Sequence, residues 1–148
     1  MIKKGFTLIE LLIVISIIAI LAATIIPNFI GFDTDARVTA TKTNLDTLRT
    51  RITLFRVKEG YYPATLNDLV TKTYMDAGVM KPYLKKLPVE MISDKAGSSS
   101  FIMLNSKEPI TDEGGWVYFT DTAETCVNSS KELNSKWGSY EGQKPSEW

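Results

Sequence analysis

Glu10 is the only ionisable side chain between Phe6 and Ile26, a run whose other polar members are Thr7, Ser16 and Thr24. A carboxylate is among the costliest side chains to place in a hydrocarbon layer, so it needs a partner. The segment offers no cation, and the chemistry expected of Glu10 is therefore ion pairing with something outside it. Just upstream stand Lys3, Lys4 and Gly5, a short basic leader ending in the smallest residue. Other chemistry is scarce. The chain has no histidine and a single cysteine, Cys126. That removes Ser-His-Asp and Cys-His nucleophiles, histidine-based zinc sites and any intrachain disulfide. No glycine-rich phosphate loop and no carboxylate pair at a telling spacing is present, and nothing singles out one serine and one lysine as a nucleophilic pair. We expect a non-enzymatic chain with no cofactor. Cys126 reads as a small buried hydrophobe.

The elements that must position Glu10 follow from the hydropathy pattern. Phe6 to Ile26 is roughly 21 residues, a helix of about 30 Å, which matches a bilayer core. Lys3 and Lys4 precede it and no basic residue follows until Arg37. The positive-inside rule then places the N-terminus in the cytoplasm and the rest of the chain beyond the inner membrane. A secretory signal would need small residues at both positions of its cleavage site, and "LAA" at residues 21–23 fails at the first. Pro27 removes a backbone donor, so a kink or unwound stretch is expected over residues 22–27.

The string "KKGFTLIELLIVISIIAILAATIIPNF" closely resembles the N-terminus of type IV pilins and of the related type II secretion pseudopilins. The resemblance rests on the basic leader ending in Gly5, on Phe6, on "TLIE" with its glutamate at Glu10, and on the apolar helix and Pro27. It implies that a prepilin peptidase cuts between Gly5 and Phe6 and that the new Phe6 amino group is N-methylated. It further implies that Glu10 serves assembly by facing the N-terminus of a neighbouring subunit. Ala19 departs from the pattern, because many members carry a glycine midway along this helix. The implied partners are other copies of the chain and minor pilins in a helical polymer, the peptidase and an inner-membrane assembly platform. The implied location is the inner membrane, then a periplasmic or cell-surface filament.

The remaining sequence suits one soluble domain. We divide the chain into a leader (1–5), a membrane and filament-core segment (6–30) and a pilin-like domain (31–148). Val38, Leu45, Leu48, Ile52 and Phe55 share one helical face, predicting an amphipathic helix over about 34–59, with Gly60 as C-cap and Pro63 beyond. A short helix is expected at about 65–74, with Thr65 as N-cap, followed by a proline-bounded connection at 81–88. "FIML" (101–104), "GWVYFT" (115–120) and "TCVN" (125–128) read as strands of a sheet over about 100–128. The fold class is α+β: a long N-terminal helix packed on a small antiparallel sheet, as in pilins. The polar tail is left unassigned.

Two further expectations are negative. A cut after Gly5 removes two of the 17 basic residues and leaves 15 against 17 acidic ones, with no dense basic patch and no nucleic-acid signature. Asp94, Asp112 and Asp121 lack the spacing of a compact oxygen cage and read as turn residues, so no metal site is assigned. "YYP" after the long helix adds to the resemblance. The disulfide loop of many type IVa pilins is impossible here, and the aspartate-rich calcium loop of the major pseudopilin is not recognisable. Pilus subunit is the first reading and pseudopilin of a type II secretion system the alternative.

Overall fold

The computed structural model describes residues 6–25, 32–93 and 98–148. The chain forms two compact units, Met1–Asp33 and Thr34–Trp148. Gly5 and Pro27 lie outside the described residues; of the stretch expected to kink or unwind, residues 22–25 are helical and 26–27 lie outside.

The first unit is the helix α1, Leu8–Ile25, in which no residue is buried. It is apolar all round rather than along one stripe, and its 18 residues run about 27 Å. Mean hydropathy over this span is 2.8, long and apolar enough to cross a membrane. Ala19 lies within the continuous helix. The two hydroxyls along it donate back to the helix, Ser16 to the Leu12 carbonyl and Thr24 to that of Leu21.

The second unit contains all but the first two residues of α2, Phe32–Glu59. Its buried positions are Val38, Thr41, Leu45, Leu48, Ile52 and Phe55, a regular alternation of three and four residues. Thr41 was not predicted to be buried. Its hydroxyl accepts from the Met91 amide at 3.1 Å, which ties the helix to the chain segment crossing it. Gly60 ends the helix with a left-handed backbone (φ 82°), and its amide bonds to the Arg56 carbonyl.

A helix α3 follows at Asp68–Thr71, shorter than predicted, and the chain then enters a two-stranded antiparallel ribbon, β1 (Thr73–Asp76) and β2 (Val79–Pro82). Thr65 is not the cap of α3: Asn67 holds that position, without a side-chain cap bond. The Asp68 carboxylate accepts from the amides of Ala64 and Thr65 and so braces the turn before the helix. The ribbon takes the end of the predicted helix, the unassigned residues 75–80 and the start of the predicted connection. Its turn is Ala77–Gly78, both with positive φ, and an alanine at the first position hides the usual Asn-Gly or Asp-Gly signal.

The main sheet has the order β3 (Phe101–Leu104), β4 (Trp116–Phe119), β5 (Thr125–Val127). The β4–β5 pair is antiparallel as expected, whereas β3 and β4 run parallel. The correction has a simple cause. Residues 105–115 are a crossover of nearly the dozen residues that a parallel return requires, not a hairpin turn. Trp116 and Tyr118 pack with the buried face of α2 in one core that also includes Leu66, Leu69, Tyr83 and Val127. Their polar tips bond to backbone of the intervening segment, Trp116 Nε1 to the Pro88 carbonyl at 2.8 Å and Tyr118 Oη to that of Pro63 at 2.6 Å. The tail joins the same core through Leu133 and Trp137.

Candidate functional site

The candidate site is the first turn of α1. Thr7 precedes the helix, and its carbonyl accepts the Leu11 amide at 3.3 Å, as an N-cap does. Its hydroxyl accepts from the Glu10 amide at 3.2 Å. In return, Glu10 Oε2 accepts the Thr7 amide at 2.9 Å and the Thr7 hydroxyl at 2.7 Å. This is a reciprocal capping box, threonine at N-cap and glutamate at the third helical position. It corrects the expectation that the segment offers Glu10 no partner. Thr7 is that partner, and the signature T-x-x-E was readable in "TLIE". The carboxylate also lies at the positive end of the helix dipole.

The box occupies only one carboxylate oxygen. Oε1 accepts no hydrogen bond among the described residues. Phe6 sits immediately ahead and is 75% exposed. The site therefore offers a pre-oriented anion, a large exposed ring and one uncommitted oxygen at the tip of an unburied apolar helix.

The second unit presents a different inventory. One cleft, of about 540 Å³, lies beside α2 and the β4–β5 turn, with Arg49, Glu124 and Cys126 in its lining. Cys126 is buried, and burial pushes its thiol up to about 11. At neutral pH it is a thiol and not the thiolate that nucleophilic chemistry requires. Asp112 accepts from the amide and hydroxyl of Ser130, and Asp121 from those of Ser106. Both carboxylates are turn staples. Asp94 lies outside the described residues.

Known proteins match the chain in both regions. Residues 1–26 match the model of the prokaryotic N-terminal methylation motif, and residues 28–94 that of type II secretion system protein G. A type II secretion system core protein G of Pseudomonas aeruginosa is 32% identical over 95 residues, covering 60% of this chain and 67% of that one. The type IV major pilin protein PilA of Myxococcus xanthus is 46% identical over 67 residues, covering 45% of this chain but 30% of that protein. The type IV wide pilus major component PilA4 of Thermus thermophilus is 32% identical over 126 residues, covering 84% and 85%. The chain thus spans two thirds or less of several relatives, including 63% of the Vibrio cholerae core protein G. No solved structure matches. The methylation motif lies over the leader and the capping box, and the relatives on either side of it are pilins and pseudopilins. The chain belongs to the type IV pilin and type II secretion pseudopilin family.

Proposed function

We propose that this chain is a structural subunit of a type IV pilus-like filament, cut between Gly5 and Phe6, N-methylated at Phe6 and assembled through α1. The observation that carries the reading is the state of α1: an 18-residue apolar helix with no buried residue, bearing one carboxylate in its first turn. Lipid satisfies such a surface before assembly, and the helices of other subunits satisfy it afterwards. The cut makes a new cation at Phe6 and keeps the Thr7 amide, so the capping box survives processing. Glu10 Oε1 is then available to the Phe6 ammonium of a neighbouring subunit. A subunit out of register leaves both charges unpaired in an apolar bundle, and this sets axial position.

Intact mass of the chain in sheared filaments tests the proposal. The expected mature species begins at Phe6 and carries a methyl group. A mature chain that begins elsewhere, or filaments without the chain, overturns it. A bulky residue at position 5 is expected to leave the longer, leader-bearing form in the membrane.

The match to protein G over residues 28–94 favours a second reading, a pseudopilin forming a short periplasmic pseudopilus. Both readings use the same processing, the same Glu10 and the same inner-membrane intermediate. Electron microscopy of sheared cell surfaces separates them. Long surface fibres containing the chain support a pilus, and their absence with the chain retained in the periplasm supports a pseudopilus.

A further inference from the structure

The net charge of zero hides a division. Residues 34–89 carry ten Lys and Arg against five Asp and Glu, while residues 90–148 carry five against ten. Many cations of the first half gather where the C-terminal end of α2 meets the β1–β2 ribbon. Arg56 lies 4.5 Å from the centre of the Tyr62 ring, Lys58 lies 5.5 Å from that of Tyr74, and Lys72 lies 5.3 Å from that of Tyr61. Lys85 and Lys86 are exposed in the following loop and have no ion-pair partner among the described residues.

Uncovered apolar surface collects at the same corner. Apart from Met103, every large apolar side chain exposed on the described part of this unit falls between Val57 and Met80. The ribbon register pairs Met75 with Met80 and Thr73 with Pro82, which puts these four on one face. Tyr74 points to the other face and packs on Tyr83, with ring centres 4.7 Å apart. Tyr74 thus ties one side of the ribbon to the core, while the methionine side is bare, Met75 at 62% and Met80 at 56% exposure. A concentrated apolar patch with a charged rim marks an interaction surface, and methionine adapts readily to a partner.

We propose that the outer face of the β1–β2 ribbon docks, with its cationic rim, on the acidic half of a second copy of this chain. The choice of partner rests on the filament reading above and on charge complementarity. Like halves repel, whereas unlike halves attract, so two copies meet head to tail. The acidic half has carboxylates to spare: Glu113, Glu124, Glu132 and Glu141 are exposed, with no ion-pair partner among the described residues. A head-to-tail contact does not close on itself and propagates into an open helical array. A nucleic acid or an anionic membrane would meet the same cations, but either would be repelled by the carboxylates of residues 90–148.

A zero-length carbodiimide cross-linker, which joins lysine to carboxylate only at salt-bridge distance, tests this. It is applied to the full chain in sheared filaments and, separately, in the inner-membrane fraction. Mixed isotope-labelled and unlabelled chains distinguish links between copies from links within one. The expected product joins Lys58, Lys85 or Lys86 to a carboxylate in residues 90–148 of another copy; Lys81 is already paired with Asp76 of its own chain at 2.8 Å. Reversing Lys85→Glu together with Lys86→Glu, in a protein with unchanged circular dichroism, lowers that yield by about tenfold. Links only within one copy, links to a different protein, or no links in both preparations overturn the docking. Unlinked chain within filaments refutes the docking and leaves the filament reading standing. A chain linked in the membrane fraction but absent from filaments does the reverse.

Discussion

Glu10 in the first unit and Glu90 in the second each lack an ion-pair partner among the described residues. Glu10 lies on an exposed helix and takes its hydrogen bonds from Thr7, three residues away. Glu90 has no exposed surface, and its carboxylate accepts the amides of Ile92, Ser93 and Gly115 and the Ser93 hydroxyl. Gly115 is 25 residues distant in sequence. The first carboxylate is satisfied locally and keeps an oxygen to offer. The second is consumed by the fold that surrounds it. Location in an apolar context does not by itself mark a functional carboxylate; what matters is whether capacity is left over.

This contrast can be broken experimentally, and the largest effect is expected at Glu90. Glu90→Ala leaves three backbone amides without their acceptor, and thermal unfolding of the detergent-solubilised chain should show a loss of about 3–5 kcal/mol. Glu10→Ala should leave that unfolding transition in place and abolish assembly, read as processed chain in the membrane and none in sheared filaments. Normal filaments from Glu10→Ala would erase the distinction.

Gly115→Ala comes next. The residue has φ of 78°, and an added Cβ would lie 2.3 Å from the Ser100 carbonyl oxygen, which must move. A loss of about 2–4 kcal/mol is expected in the same assay, because strain adds to the disturbed Glu90 bond. A smaller effect is expected at Thr7. Thr7→Ala removes the N-cap and should cost α1 about 1 kcal/mol, whereas Thr7→Ser retains it. Assembly yield should follow the same order, sharpening the claim that the box orients Glu10.

The smallest effect concerns Cys126. With its thiol pushed up to about 11 by burial, from an ordinary 9.0, labelling by a thiol reagent at pH 8 should be slow until the protein unfolds. The raised folded value also fixes the sign of the linkage. The contribution to stability is complete below pH 9 and is lost as pH rises towards 11, because only the unfolded chain ionises readily there. Fast labelling of folded protein would place Cys126 at the surface.

Much of this was legible in residues 1–60. A uniform apolar run, a leader ending in Gly5 and a regular alternation on α2 are local patterns, and local patterns survive without a tertiary structure. Legibility failed where partners are distant. Thr41 looked like an ordinary polar helix residue until the Met91 amide came to it. The ribbon at 73–82 was missed because its strands are short and mostly exposed, and because Ala77 is not a typical turn residue. The parallel β3–β4 pair was missed because strand spacing does not state direction.

The sequence by itself determined the membrane-length helix, the position of Glu10, the processing motif and the inward face of α2, since each depends on residue type and near-neighbour spacing. Tertiary structure alone decided that Glu90 is closed off by donors from two segments, that the sheet is mixed, and that cations and bare methionines meet at one corner of a chain with no net charge. Those outcomes depend on which distant segments share space, and periodicity carries no information about that.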